Sequence, residues 1–165
     1  MQSTLFDGGL LRDAVLSSDG LYRYVLTRTW ADSGRKIAFV CLNPSTADAH
    51  VDDPTVRKCM RLAAKWGGGS LRIVNLFALR STDPGGLRLV DDPVGPDNDD
   101  WLARTIGSSD VVIAAWGCHG TLQGRNEVVL ERFRGRLQAL RLTRDRHPSH
   151  PLYLPEHLVP VPFEG

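Results

Sequence analysis

Ile37-Ala-Phe-Val-Cys-Leu-Asn-Pro-Ser-Thr46 and Leu71-Arg-Ile-Val-Asn-Leu-Phe77, held apart by one helix-length segment, decide the fold. Each contains a nearly continuous apolar run too short for a helix, the pattern of a strand covered on both faces. Between them a polar loop, Asn43 to Asp53, ends in an Asp-Pro pair. Asp53 serves as a helix cap and Pro54 occupies the first helical position, where its missing N–H costs nothing. Val56, Cys59, Met60 and Ala63 then fall at i, i+3, i+4 and i+7, an apolar stripe, with Arg57, Lys58, Arg61 and Lys65 directed elsewhere. Gly67-Gly68-Gly69 stops the helix. Strand, helix and strand in this order favour a parallel pair joined by a right-handed crossover.

Upstream, Tyr22, Tyr24 and Leu26 alternate with Arg23, Val25 and Thr27, a strand signature, and Ala31-Asp-Ser-Gly34 is a turn. The two together read as a hairpin leading into the Ile37–Leu42 strand. Residues 1–9 lack periodicity and are expected to form a loose tail. Downstream, a Pro- and Gly-rich loop spans Arg80 to Pro96, and Asp97-Asn-Asp-Asp100 places negative charge at the start of a helix expected over Asn98–Ile106. Val111–Trp116 is a further buried strand, and Gly117 to Gly124 a loop. Val129, Phe133 and Leu137 mark one side of a last, long helix, and Leu140–Thr143 a short closing strand. The whole is expected to be one α/β domain over 1–165, a three-layer α/β/α sandwich with a mostly parallel central sheet and an N-terminal hairpin strand.

With 165 residues, 42% hydrophobic and 24% charged, the chain has ordinary globular composition, which argues against disorder. Its longest apolar run, Val111–Trp116, is far short of a bilayer span, and the N-terminus has no basic start before an apolar stretch, so the expectation is a cytoplasmic protein without a membrane partner. Cys41, Cys59 and Cys118 form no C-x-x-C pair; Cys41 and Cys59 read as small buried hydrophobes. The net charge of +1 does not announce a nucleic-acid binder, but its distribution is uneven. Six acids oppose one arginine between Asp83 and Asp100, and seven arginines oppose three acids between Arg125 and His150. A basic rim facing phosphate, or simply solvated helix faces, produces such counts.

The polar segments follow the strands, where α/β sheets bind ligands. Asn43 can hold a water or a ligand amide, or cap the turn before Pro44. Ser45 and Thr46 can meet phosphate or form a local turn, and Asp48, Asp52 and Asp53 can supply a base. Asn75 interrupts an apolar strand, so its amide must find a partner, either a base-like ligand or the neighbouring loop. Trp116 can stack on a planar ligand or fill the core. His150, between Ser149 and Pro151, is a candidate positioned electrophile or general acid. His119, His147, His150 and His157 lack zinc spacing, so no metal is expected, and no motif implies a cofactor. A Gly-x-Ser-x-Gly elbow and a glycine-rich phosphate loop are both absent from the sequence.

Leu42-Asn-Pro-Ser-Thr-Ala-Asp48, Asp52-Asp-Pro-Thr55, Val74-Asn-Leu-Phe-Ala78, Asp91-Asp-Pro-Val-Gly-Pro-Asp-Asn98, Trp116-Gly117 and His150-Pro-Leu-Tyr-Leu154 together resemble the bacterial family called domain of unknown function sixteen-forty-three. The order of Asn-Pro, Asn, Trp-Gly and His-Pro segments is also similar, more distantly, to the uracil-DNA glycosylase superfamily. That resemblance implies a three-layer fold that flips a base into a pocket at the strand ends. Asn43 would orient the attacking water, Asn75 would read the base edge, and His150 or His147 would stabilise the departing base. Pro44, Ser45, Thr46, Asp48, Phe77, Trp116 and Gly117 would complete the substrate site, with Leu152 or Tyr153 as the wedge entering a duplex. Were DNA the substrate, Arg141, Arg144 and Arg146 would line its phosphate path. The expected function is therefore recognition of a nucleobase or nucleotide with hydrolysis of an N-glycosidic bond. The alternatives are a non-catalytic nucleotide- or modified-base-binding module and an interaction protein.

Overall fold

The computed structural model describes residues 9–165, so the tail expected over residues 1–9 lies outside the described residues except for Gly9. The elements are β1 (Leu11–Leu16), β2 (Arg23–Thr29), β3 (Arg35–Cys41), α1 (Pro54–Lys65), β4 (Gly68–Asn75), α2 (Asn98–Gly107), β5 (Val111–Ala114), α3 (Arg125–Arg132), β6 (Leu137–Ala139) and β7 (Val161–Pro162). They build an α/β fold on one seven-stranded sheet of order β1-β2-β4-β3-β5-β6-β7.

The sheet is mixed, which corrects the expectation of a mostly parallel one. β4, β3, β5 and β6 run parallel, while β1–β2, β2–β4 and β6–β7 are antiparallel. The expected hairpin of β2 with β3 does not form either, because β4 lies between them and β2 pairs with β1 instead. The physical reason is burial of β3. Ile37, Ala38, Phe39 and Val40 are all 0% exposed, so β3 needs a strand on each side and helices over both faces. The β3–α1–β4 crossover supplies β4 on one side, and β5 occupies the other. Edge strand β1 buries little, and its Leu11-Arg-Asp start is exposed, which is why periodicity does not reveal it.

Side chains alternate between two apolar clusters. Ile37, Phe39, Cys41, Ile73 and Ile113 face Val56, Cys59, Met60 and Ala63 of α1. Ala38, Val40, Val74, Val112 and Ala114 face Leu102 and Ile106 of α2 and Val129 of α3. Asp53 caps α1 as expected, its Oδ1 accepting from the Val56 N–H at 2.9 Å. Lys58 departs from the helical-wheel reading. It is buried, and its Nζ donates to the Leu154 carbonyl at 2.5 Å, because the C-terminal segment lies across that flank of α1. Arg61 Nε to Glu156 at 2.7 Å fastens the same segment.

The glycine triplet serves more than the helix end. Gly67, at φ +78°, makes the turn, while Gly68 and Gly69 already belong to β4. A Cβ on Gly69 would lie 2.1 Å from the Ser33 carbonyl, and the Gly69 carbonyl accepts from the N–H groups of Trp30 and Ala31. Helix α3 is eight residues rather than long: Gly135, at φ +81°, turns the chain, so Leu137 sits in β6 and not on the helix. The strand expected over Leu140–Thr143 lies at Leu137–Ala139, and β7 rather than β6 closes the sheet. No helix among the described residues is long and apolar enough to cross a membrane.

Candidate functional site

A cleft of about 200 Å³ opens where the carboxyl ends of β3 and β4 meet the N-terminus of α1. Cys41, Leu42, Val56, Ile73 and Pro84 form its apolar lining, and Arg23, Asn43, Ser45, Asp53, Thr55, Asn75, Ser81, Thr82 and His150 its polar one. Three of the four expected segments therefore converge: the loop after β3, the end of β4 and the His150 turn.

Asn75 ends β4 beside Cys41 of β3. It is 0% exposed, yet neither its Nδ2 nor its Oδ1 has a hydrogen-bond partner in the protein. Its own carbonyl is taken by the Asn98 amide at 3.0 Å, so the backbone there is held while the side chain is left for the cleft. Asn43 behaves differently. Its Nδ2 donates to the carbonyls of Pro44 at 2.9 Å and Ser81 at 2.8 Å, which ties the two cleft loops together. Only Oδ1 of that side chain remains for a ligand or water.

Arg23 opens β2, and because β2 runs antiparallel to β4 its first residue meets the end of β4, where the Arg23 N–H donates to Ala78. The guanidinium is driven inward: the residue is 3% exposed, Nη1 donates to the Ala47 carbonyl at 2.7 Å, and Nε is without a partner. Burial lowers its pKa to about 10, against the opposing pull of Asp53. Asp53 itself gives Oδ1 to the helix cap and lines the cleft.

His150 is presented by its turn, where Nδ1 accepts the Leu152 N–H at 3.2 Å. A neutral imidazole in this pose carries its proton on Nε2, a donor.

The model of the family described as protein of unknown function DUF1643 matches residues 23–152. The chain belongs to that family. Every cleft-lining residue falls inside the matched span, from Arg23 to His150. No curated protein matches the chain, and no solved structure does.

In this DUF1643 chain several expected residues stand away from the cleft. Trp116 and Phe77 belong to the cluster on the α2 and α3 side of the sheet, where Trp116 meets Phe163 edge to face at 6.0 Å. Gly117, at φ +70°, donates its N–H to the Pro148 carbonyl. Pro44 contributes its carbonyl to Asn43 and Ser81, and Thr46 is exposed outside the lining. Asp48 spends its carboxylate on the His50 and Val51 N–H groups, which hold its pKa below the ordinary range. His147 sits in a turn closed by Thr143, and Leu152 only orients His150. Tyr153 is 87% exposed at the surface. Arg141, Arg144 and Arg146 are exposed on the loop leading to Pro148, outside the lining.

Arg23, Thr55, Ser81 and Thr82 are the polar lining residues that sequence reasoning left out of the site, while Asp53, read as a cap and a possible base, does line it. Arg23 read as the polar member of an alternating strand, and a strand's period does not say which loop its first residue meets.

Two predictions arise here. Burial pushes the Cys41 thiol up to about 12 and the Cys59 thiol well above its usual value, whereas Cys118 is exposed. A chromogenic disulfide reagent is therefore expected to titrate one thiol in the native protein and all three after unfolding. Burial also lowers the His150 pKa below 6.5, with Asp53 opposing. The unfolded chain then takes up this proton first, so the contribution of neutral His150 to stability is present above pH 6.5 and is lost as pH falls through its lowered folded value. Urea midpoints measured from about pH 7 to about pH 5 should fall more in the native protein than in His150→Gln.

Proposed function

We propose that the cleft recognises a nucleobase or nucleotide through the Asn75 amide, and that the domain hydrolyses an N-glycosidic bond at that site. The observation that carries this reading is the fully buried, doubly unpartnered side chain of Asn75. A buried amide without partners costs on the order of 1–3 kcal/mol, and a site built to bond a ligand amide is one place where such a cost is retained. One donor beside one acceptor is the complement of the amide-like edge of a base. A cleft of about 200 Å³ has room for a single base.

The other groups have consistent roles in this reading. Asn43 Oδ1, oriented because its amide nitrogen is tied to two carbonyls, holds the attacking water. His150 Nε2–H stabilises the departing base, and Asp53 is a second acceptor available to the water. Helices on both faces of the sheet support a three-layer α/β/α sandwich of the uracil-DNA glycosylase kind. One observation favours a second reading, a non-catalytic module for a free nucleotide or modified base: among the described residues no Phe, Tyr or Trp lines the cleft to stack on a flipped base, and Arg141, Arg144 and Arg146 stand outside it.

The test is incubation with single- and double-stranded oligonucleotides and free nucleosides bearing uracil, hypoxanthine or hydroxymethyluracil, scored for released base, alongside binding to Asn75→Ala and Asn43→Ala. Base release that Asn43→Ala loses establishes hydrolysis. Binding without release, lost in Asn75→Ala, establishes the module. Failure of every base-bearing probe to bind rejects base recognition.

A further inference from the structure

Three arginines are buried among the described residues, Arg23, Arg28 and Arg125. Arg28 pairs with Asp52 at 2.8 Å and Arg125 with Asp99 at 2.8 Å. Among the described residues Arg23 has no carboxylate within ion-pair distance; one main-chain carbonyl is its acceptor, and its Nε is buried without a partner. A guanidinium stays charged at neutral pH, and leaving such a charge buried and unpaired costs several kcal/mol. The unmatched cation lines the same cleft as Asn75.

A second donor set surrounds it. The first turn of the twelve-residue helix α1 opens into the cleft. Of its leading residues Pro54 has no N–H, and Val56 and Arg57 donate to Asp53, which leaves the Thr55 N–H as the orphan donor of the turn. Ser45, Thr55 and Thr82 also line the cleft, while the Ser81 hydroxyl is donated to the Asp83 carbonyl at 2.7 Å. Among the described residues Asp53 is the acid of the lining, and it has given an oxygen to the cap.

We infer that the cleft holds an anionic oxygen group of its ligand against Arg23, and that the ligand is a nucleoside monophosphate. The inference rests on the base reading of the same cleft and extends it: Asn75 takes the base edge, and Arg23 with the α1 terminus takes the phosphate.

The experiment is calorimetric titration and thermal shift of the native protein with uridine, inosine, their 5′-monophosphates and inorganic phosphate, at graded salt. The monophosphates are expected to bind about tenfold or more tighter than their nucleosides, with a preference that shrinks as salt rises. In Arg23→Gln the preference should collapse while nucleoside binding persists, and Arg23→Lys should restore part of it. Should Arg23→Gln fail to fold, the nucleoside-to-monophosphate ratio of the native protein decides alone. Equal affinity for nucleoside and monophosphate overturns the anion site but not the base reading. Stabilisation by inorganic phosphate with no nucleoside or monophosphate bound keeps the anion site and overturns the nucleotide ligand. Binding of no probe overturns both.

Discussion

Asn75→Leu is expected to yield a protein more stable than the native one and unable to bind its ligand. Leucine has the same number of side-chain heavy atoms as asparagine, branched at the same carbon, and Asn75 sits where Ile73 and Val56 already supply apolar walls. The native amide has lost its water and gained nothing from the protein. Its replacement should therefore raise the unfolding free energy by about 1–3 kcal/mol, the desolvation cost of an unsatisfied group. For a chain of this size each kcal/mol moves Tm by about 2–4 °C, so the rise is readily measured. Ligand affinity should fall about a hundredfold or more, because a buried amide that discriminates by pairing cannot be replaced by an apolar group. Asn75→Asp, which places a charge in the same enclosed position, should destabilise instead. Urea midpoints for the two variants check the first half and titration the second; a leucine variant less stable than native by more than about 2 kcal/mol would show that the amide is satisfied in the folded protein.

Arg28→Met is expected to produce the largest loss of stability of any single change considered. The guanidinium is 0% exposed and fully engaged: Nε with Asp52 at 2.8 Å, Nη1 with the Thr27 carbonyl at 2.9 Å, and Nη2 with the Asp48 carbonyl at 2.6 Å. Its removal leaves Asp52 with Arg12 alone, at 3.0 Å, and strands two carbonyls. Truncating one partner of such a buried pair costs about 3–5 kcal/mol. The loss should spread along the chain, since Arg28 holds the 48–52 loop from which Asp53 enters the cleft. Hydrogen exchange at His50 and Val51 should accelerate, and ligand binding weaken with it. A companion change, Asp52→Leu, is expected to recover part of the stability, because the orphaned carboxylate then disappears. By contrast the exposed Arg134–Glu131 pair, one turn apart on the surface, should give no measurable change when broken. Chemical denaturation of these variants distinguishes a buried clamp from a surface contact.

The two arginines explain each other's difference. Both enter from β2, Arg28 toward Asp52 and Arg23 toward the cleft, and the same loop carries Asp52, which answers the first, and Asp53, which does not come within ion-pair distance of the second. The first stabilises the fold, and the second is the group inferred to meet the ligand.

Local patterns were legible without coordinates. The apolar runs of β3, β4 and β5 mark buried strands, Asp53-Pro54 marks the start of α1, and the polar breaks at Asn43, Asn75 and His150 mark residues that reach the cleft. Each of these depends on a few neighbouring residues: a period, a cap, or an amide in an apolar run. Trp116 and Phe77 pack in the core cluster on the α2 and α3 side, a choice between cleft and core that one segment does not make, because a residue at a strand end can face either side of the sheet and only the register says which.

What the sequence determined by itself is thus the identity of the central elements and the presence of an amide in the apolar run that ends β4, both consequences of chemistry within one segment; that the amide has no partner is decided by the tertiary structure. What only the tertiary structure decided is the insertion of β4 between β2 and β3, the mixed sheet, and the arrival of Arg23 and Asp53 beside Asn75. Those depend on which strand covers the open flank of β3. That choice is made by burial summed over segments far apart in the chain, so no single stretch of residues carries it.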